Sequence, residues 1–179
     1  MSLRNKYLYH NEDTFFITTT CNHWFNLLDI GSGYKIVIDS LNFCCKKYQC
    51  QILGYVLMPN HVHLIIHFEK GENRMGFMRD FKKFTSTMIR KEIELHQPGL
   101  LNRLRGDRQL FKIWQERFDE LYLVSKNVLE SKLSYIHTNP LQEKWGFVKY
   151  PEEYPYSSAQ FYETGNQNMI RVHHYQDYF

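Results

Sequence analysis

Met58-Pro59-Asn60-His61-Val62-His63-Leu64-Ile65 places two histidines one residue apart inside an apolar run. Pro59 and Asn60 make a short turn, and the residues after it favour an extended strand. Side chains on a strand alternate faces, so His61 and His63 point the same way, their Cβ atoms about 6.5–7 Å apart by strand rise. Val62 and Leu64 face the opposite side, toward a core. Two neutral imidazoles converging from one strand can hold a single divalent cation and leave its other positions open. Metal-assisted phosphate chemistry needs such a site, because substrate oxygens must also bind. A histidine pair that merely decorates a half-buried strand has the same pattern, and these eight residues leave both readings open.

Outward from this strand, which spans residues 61–68, the pattern gives a second strand at residues 51–57, immediately before the turn. Thr14-Phe15-Phe16-Ile17-Thr18-Thr19-Thr20 is β-branched and aromatic, a first strand. Gly31-Ser32-Gly33 opens a helix whose apolar residues Tyr34, Val37, Ile38, Leu41, Cys44 and Tyr48 follow helical spacing. Residues 75–95 form a long amphipathic helix with Phe77, Phe81, Phe84, Met88 and Leu95 on one side. A polar loop over residues 97–109 precedes a fourth strand at 110–115. Asn127, with Glu130 three residues on, starts a last helix, which runs to about Asn139 because Pro140 disfavours helical geometry before it. The order β-α-β-β-α-β-α implies an α+β fold. Its first six elements form a ferredoxin-like antiparallel sheet with helices packed on one face. The last helix is added to that unit, and residues 141–179, rich in Tyr, Pro and His, read as an irregular tail.

At 179 residues the chain suits one domain, residues 1–179, with a substantial core. Hydrophobic content of 43% against 23% charged residues is that of an ordinary soluble protein. No apolar run approaches the ~20 residues of a membrane span. Met1-Ser2-Leu3-Arg4-Asn5-Lys6 has no apolar stretch behind it, so a cytoplasmic location is expected and no membrane partner. Cys21, Cys44, Cys45 and Cys50 form no C-x-x-C pair, which suits reduced thiols rather than disulfides or structural zinc.

In the last helix Leu129, Leu133 and Ile136 make the apolar stripe. Tyr135 and Asn139 lie four residues apart, one turn above the other, roughly 80–120° from the stripe's centre. Such a tyrosine can present its hydroxyl to a substrate, and the amide oxygen can bind a hard cation. A surface tyrosine beside a helix-ending Asn-Pro is the plainer reading. Taken together the parts make a mechanism. A phenol is a weak nucleophile at neutral pH, but a cation held by His61, His63 and Asn139 would polarise a phosphodiester and align it with the Tyr135 oxygen. The resulting phosphotyrosine ester would store the energy of the cleaved bond for rejoining.

His61-Val62-His63 after Met58-Pro59-Asn60 resembles the HUH motif of single-strand DNA transposases with one catalytic tyrosine. Tyr135-Ile136-His137-Thr138-Asn139-Pro140 resembles the tyrosine helix of one branch, the REP-associated tyrosine transposases. Further similarity runs through Ile113-Trp114-Gln115 with Phe118-Asp119, and through Pro151-Glu152-Glu153-Tyr154 with Ser157-Ser158. The resemblance implies Mg²⁺ or Mn²⁺ held by His61, His63 and Asn139, where many relatives carry glutamine, and Tyr135 as nucleophile. It also implies a covalent 5′-phosphotyrosine link to single-stranded DNA that bears imperfect hairpins. Monomer and homodimer both remain open.

For DNA contact, the long helix carries Arg79, Lys82, Lys83, Arg90 and Lys91, and the loop after it adds Arg103, Arg105, Arg108 and Lys112. Clustered cations of this kind neutralise phosphates, though a solvated helix face looks the same. The competing function is a non-catalytic, domesticated hairpin-binding or RNA-binding module on the same fold. No RNP-type motif lies on either central strand, which argues against an RNA-recognition domain. Replication initiators and conjugative relaxases of the HUH class are generally larger.

Overall fold

The computed structural model describes residues 13–105 and 111–179. Four strands form one antiparallel sheet: β1 (Thr14–Thr20), β2 (Cys50–Met58), β3 (His61–Phe68) and β4 (Asp119–Tyr122), in the order β2-β3-β1-β4. Helix α1 (Gly33–Tyr48) links β1 to β2, and α2 (Asn73–His96) with the short α3 (Leu100–Leu104) lies between β3 and β4. This is the expected ferredoxin-like arrangement, with α4 (Lys126–Thr138) added after it.

Strand alternation divides the apolar residues into two cores. Phe15 and Ile17 of β1 join Val62, Leu64 and Ile66 of β3 on the face covered by α1 and α2. On the other face Phe16, Val56, Met58 and Ile65 meet Leu129, Leu133 and Ile136 of α4. The sheet is thus covered on both sides, and the histidines share the α4 side. Helix α4 comes close because a bulge between Ile52 and Gly54 leaves a glycine beneath it. A Cβ at Gly54 would stand 2.6 Å from Leu133 Cδ1.

Several boundaries differ from the sequence expectation. The fourth strand is Asp119–Tyr122, not residues 110–115. Ile113 and Trp114 are buried as core residues, and Trp114 makes only an isolated bridge to Cys21. Leu110, with the rest of residues 106–110, lies outside the described residues, as does the stretch from Met1 to Lys6. Helix α2 buries Phe77, Met78, Phe81, Thr85, Ile89 and Ile93, while Phe84 and Leu95 are exposed. Thr85 is admitted to the core because its hydroxyl donates to the Phe81 carbonyl and accepts from Trp114 Nε1. The cap of α4 is Ser125, whose side chain accepts from the Val128 amide; Asn127 is inside the helix.

Residues 141–179 are largely irregular but firmly laid along the free edge of β2, with one helix, α5 (Ala159–Thr164). The Tyr154 hydroxyl donates to the Leu57 carbonyl, and the Leu57 amide to the Tyr156 carbonyl. Ser158 brackets Tyr55 by accepting from its amide and donating its own backbone N–H to its carbonyl. Val172 bridges Ile52 in parallel. The edge's backbone groups are thereby satisfied. Among the described residues no helix is long and apolar enough to cross a membrane.

Candidate active site

Strand register decides what faces α4. His63 pairs with Thr18 on β1 and with Val56 on β2, and His61 with Thr20 and Met58. Both imidazoles are buried, and their ring centroids are 4.7 Å apart, so the rings lean together beyond the strand spacing of their Cβ atoms. Burial, with smaller repulsion from Lys144, pushes the His61 pKa down to about 4 despite the neighbouring Asn139 amide. Burial, then His61 and the lysines Lys132 and Lys144, take His63 down to about 3. Both rings are neutral at physiological pH, the form in which imidazole coordinates metals.

The inner nitrogen of each ring, Nδ1, is already engaged. Asn60 donates its side-chain N–H to the Trp24 carbonyl at 3.2 Å, which turns its Oδ1 toward His61. The 2.6 Å contact between that oxygen and His61 Nδ1 therefore assigns the proton to Nδ1 and the lone pair to Nε2. His63 Nδ1 lies 2.8 Å from the Thr18 hydroxyl. Hydrogen bonds of this kind orient ligating histidines.

Helix α4 supplies the rest. The Tyr135 ring sits edge-on to His63 at 5.4 Å and is 44% exposed, so its hydroxyl reaches the open side. One turn on, the helix tightens into a 3-10 turn (Asn139–Leu141) that carries Asn139 into the interior, where it is 2% exposed. No hydrogen bond of good geometry reaches its Oδ1, although the amide lies close enough to His61 to raise that imidazole's pKa slightly. An orphaned buried carbonyl oxygen is costly and calls for a partner. Among the described residues no three His, Cys, Asp or Glu side chains are grouped to hold a metal ion. The donor set that fits one is two imidazole Nε2 atoms and this amide oxygen, a mixed N/O set with room for further oxygens.

These groups line a cleft of about 330 Å³ whose wall also includes Trp24, Gln115, Asp119, Lys132 and Lys144. None of those five was given a site role from sequence, although Gln115 and Asp119 belong to the stretches that carry the family resemblance. Lys132 is three residues before Tyr135 and so shares its helix face, a signal that was available. Its ammonium group lies 5.0 Å from the Phe16 ring and 5.8 Å from that of Tyr135. Lys144 sits 5.4 Å over Trp145, itself beside His61. Nothing local marks Lys144 or Trp24.

The basic residues expected to meet DNA are placed apart from this cleft. Helix α2 lies across the sheet from the histidines. There Arg79 pairs with Asp80, and Lys83 lines a groove between α1 and α2. Lys82 is turned inward, donating to the carbonyls of Gln115 at 2.6 Å and Glu116 at 2.9 Å. It thereby holds the segment that delivers Gln115 to the cleft. Arg90 and Arg105 converge on the Phe111 ring at 4.8 and 5.7 Å, and Arg103 stacks on Phe25 at 4.4 Å. Arg108 lies outside the described residues.

With this geometry in place, comparison with known proteins is informative. An uncharacterized protein of Haemophilus influenzae is 25% identical over 159 residues, covering 78% of this chain and 87% of that protein. The structure of a REP-associated tyrosine transposase bound to a REP hairpin superposes with a TM-score of 0.66 at 21% identity, covering 92% of this chain and 88% of that one. That similarity establishes the fold. The family model for IS200-like transposases matches residues 30–139, a span that begins before β2 and ends on Asn139, and so contains both histidines and the tyrosine. It covers well over half of the 179 residues, and the chain belongs to the IS200-like transposase family.

Proposed function

We propose that this chain cleaves and rejoins single-stranded, hairpin-bearing DNA through Tyr135, as a member of the REP-associated branch of its family. The observation that carries this reading is the meeting of two elements far apart in the matched span: Tyr135 on α4 lies against His63 on β3, with the buried Asn139 amide one turn away.

The Tyr135 oxygen attacks the phosphorus, the bond from phosphorus to the 3′ oxygen breaks, and a 5′-phosphotyrosine ester forms. The proton lost by the phenol is balanced by one gained by the 3′ oxygen. Rejoining reverses these steps with a 3′ hydroxyl as nucleophile. Mg²⁺ or Mn²⁺, when bound by His61, His63 and Asn139, supplies the polarisation of the phosphodiester. The chain's own contributions are position and charge. Thr18 and Asn60 keep the imidazoles aimed, α4 holds the phenol at the cleft's open side, and the ammonium groups of Lys132 and Lys144 offset the negative charge of the phosphate.

The structural relative carries a REP hairpin, which supports a hairpin as the DNA partner here. Arg90, Arg103 and Arg105, gathered over Phe25 and Phe111, are the cations that we assign to the DNA backbone. Incubation with hairpin-bearing single-stranded DNA and Mn²⁺, followed by a denaturing gel, should reveal a covalent adduct. Peptide mapping should place the nucleotide on Tyr135, and Tyr135→Phe should abolish the adduct while hairpin binding persists. An adduct that survives in Tyr135→Phe overturns this assignment.

A further inference from the structure

Trp24 is the large side chain on the cleft wall that packing explains least. It is 57% exposed, yet its indole lies 6.1 Å from the His61 ring and faces the cavity that Tyr135 enters. Its backbone is also unusual. His23 and Trp24 have φ of 54° and 57°, consecutive left-handed residues that are neither glycine nor asparagine. Cys21 and Phe25, which bound the turn, are extended, and no other residue of the turn has positive φ.

Such backbone persists only where its surroundings impose it. Here they do. The Cys21 amide donates to the Asn60 carbonyl at 2.8 Å, the Asn22 amide to Ile113 at 2.7 Å, and the Trp24 amide to Cys21 at 3.1 Å. The Trp24 carbonyl accepts from the Asn60 side chain, whose other end holds His61. A strained loop is thus pinned along its backbone while its aromatic ring is left largely in solvent. No core gains from that arrangement. What it achieves is a flat apolar surface at a fixed place beside the histidines.

We infer that Trp24 is a stacking platform for an unpaired nucleobase adjacent to the phosphate being processed. Every base has a π-face that stacks on an indole, and single-stranded nucleic acid is recognised largely in this way. Phe25, which follows Trp24, carries Arg103 on its ring. The platform therefore adjoins a cation able to hold the next stretch of backbone. The inference rests on the proposed reading of the site as one for single-stranded DNA.

The test uses the full chain and a hairpin with a single-stranded flank, in which an abasic nucleotide replaces each flank position in turn. Trp24→Ala should bind the intact flank about 5- to 150-fold more weakly, the loss expected for one stacked base. Trp24→Phe should retain most of the affinity, and Trp24→Leu should not. At one flank position the abasic substitution should weaken the wild type by a similar factor and leave Trp24→Ala unaffected. An unchanged thermal midpoint in Trp24→Ala is expected, since the ring is exposed. Equal affinity of wild type and Trp24→Ala, full retention by Trp24→Leu, or additive losses at every flank position overturns the platform alone. Failure of the wild type to bind any of these DNAs removes the proposed function and the platform together.

Discussion

Thr18 and His63 are direct register partners on β1 and β3, and the threonine hydroxyl lies 2.8 Å from the imidazole's inner nitrogen. The pairing that builds the sheet therefore also sets the rotation of one candidate ligand. Thr18→Val keeps the branched shape and removes only the oxygen. Loss of such a partner typically costs 10–100-fold in metal affinity or activity, and we expect that range for Mn²⁺ binding by calorimetry and for DNA cleavage. The folded protein should lose about 1–2 kcal/mol, because a buried ring nitrogen is left unpaired. Unaltered Mn²⁺ affinity in Thr18→Val would show that this contact has no part in metal binding.

Two lysine sets should separate in their effects. Lys82 is half-buried and clasps two carbonyls, so Lys82→Ala should lower stability by about 1.5–3 kcal/mol. Lys132→Ala with Lys144→Ala should instead leave the thermal midpoint nearly unchanged, reduce cleavage at least tenfold and flatten the salt dependence of DNA binding. Equilibrium denaturation and a salt titration distinguish the two. The assignment fails if the cleft pair proves silent in cleavage.

Gly54 sets how deeply the tyrosine helix sits. A methyl group there meets Leu133 at 2.6 Å and Ile136 at 3.1 Å, so Gly54→Ala must push α4 outward. Overpacking of this kind costs about 1–3 kcal/mol. Adding Leu133→Val should recover part of the loss, and the recovery should appear in cleavage rate as well as in urea midpoint. If Gly54→Ala is as active and stable as the wild type, the depth of α4 is not tightly specified.

Acid should destabilise the metal-free protein through its buried histidines. Burial lowers the folded-state pKa of His61 and His137 to about 4 and of His63 to about 3, against ~6.5 in an unfolded chain. Between those values the unfolded chain binds more protons. Stability is therefore fully present above about pH 6.5 and is lost as pH falls toward the folded values. By pH 5 each histidine accounts for a loss on the order of 2 kcal/mol. Urea midpoints in chelator at pH 7.5 and pH 5 measure this. Equal midpoints contradict it.

Much of this architecture was legible in the chain, where a local pattern and the tertiary outcome agree. Alternation around His61 and His63 gave the face they occupy, and the stripe Leu129, Leu133 and Ile136 gave the buried side of α4. The misreadings share a cause. Asp119, Glu120 and Leu121 are exposed on an edge strand, so no apolar alternation marks them, and their pairing is decided by β1. Ile113 and Trp114 look like a strand because they are buried, but they fill a core without pairing along a ladder. Thr85 and Phe84 exchange the places their polarity suggests, since only the fold supplies Thr85 with partners. Trp24 and Lys144 reach the cleft through long-range contacts that leave no trace in sequence spacing.

β3 is hydrogen-bonded to a neighbour on each side, whereas α4 is held to the sheet through one apolar face. The two halves of the site therefore differ in local opening free energy. Amide protons around His61 and His63 should exchange only with global unfolding, and those of α4 sooner. If the chain carries a strand on Tyr135 and then gives it back, as proposed, the histidine half is the one expected to stay assembled throughout. The helix is then the half expected to loosen and re-dock between one turnover and the next.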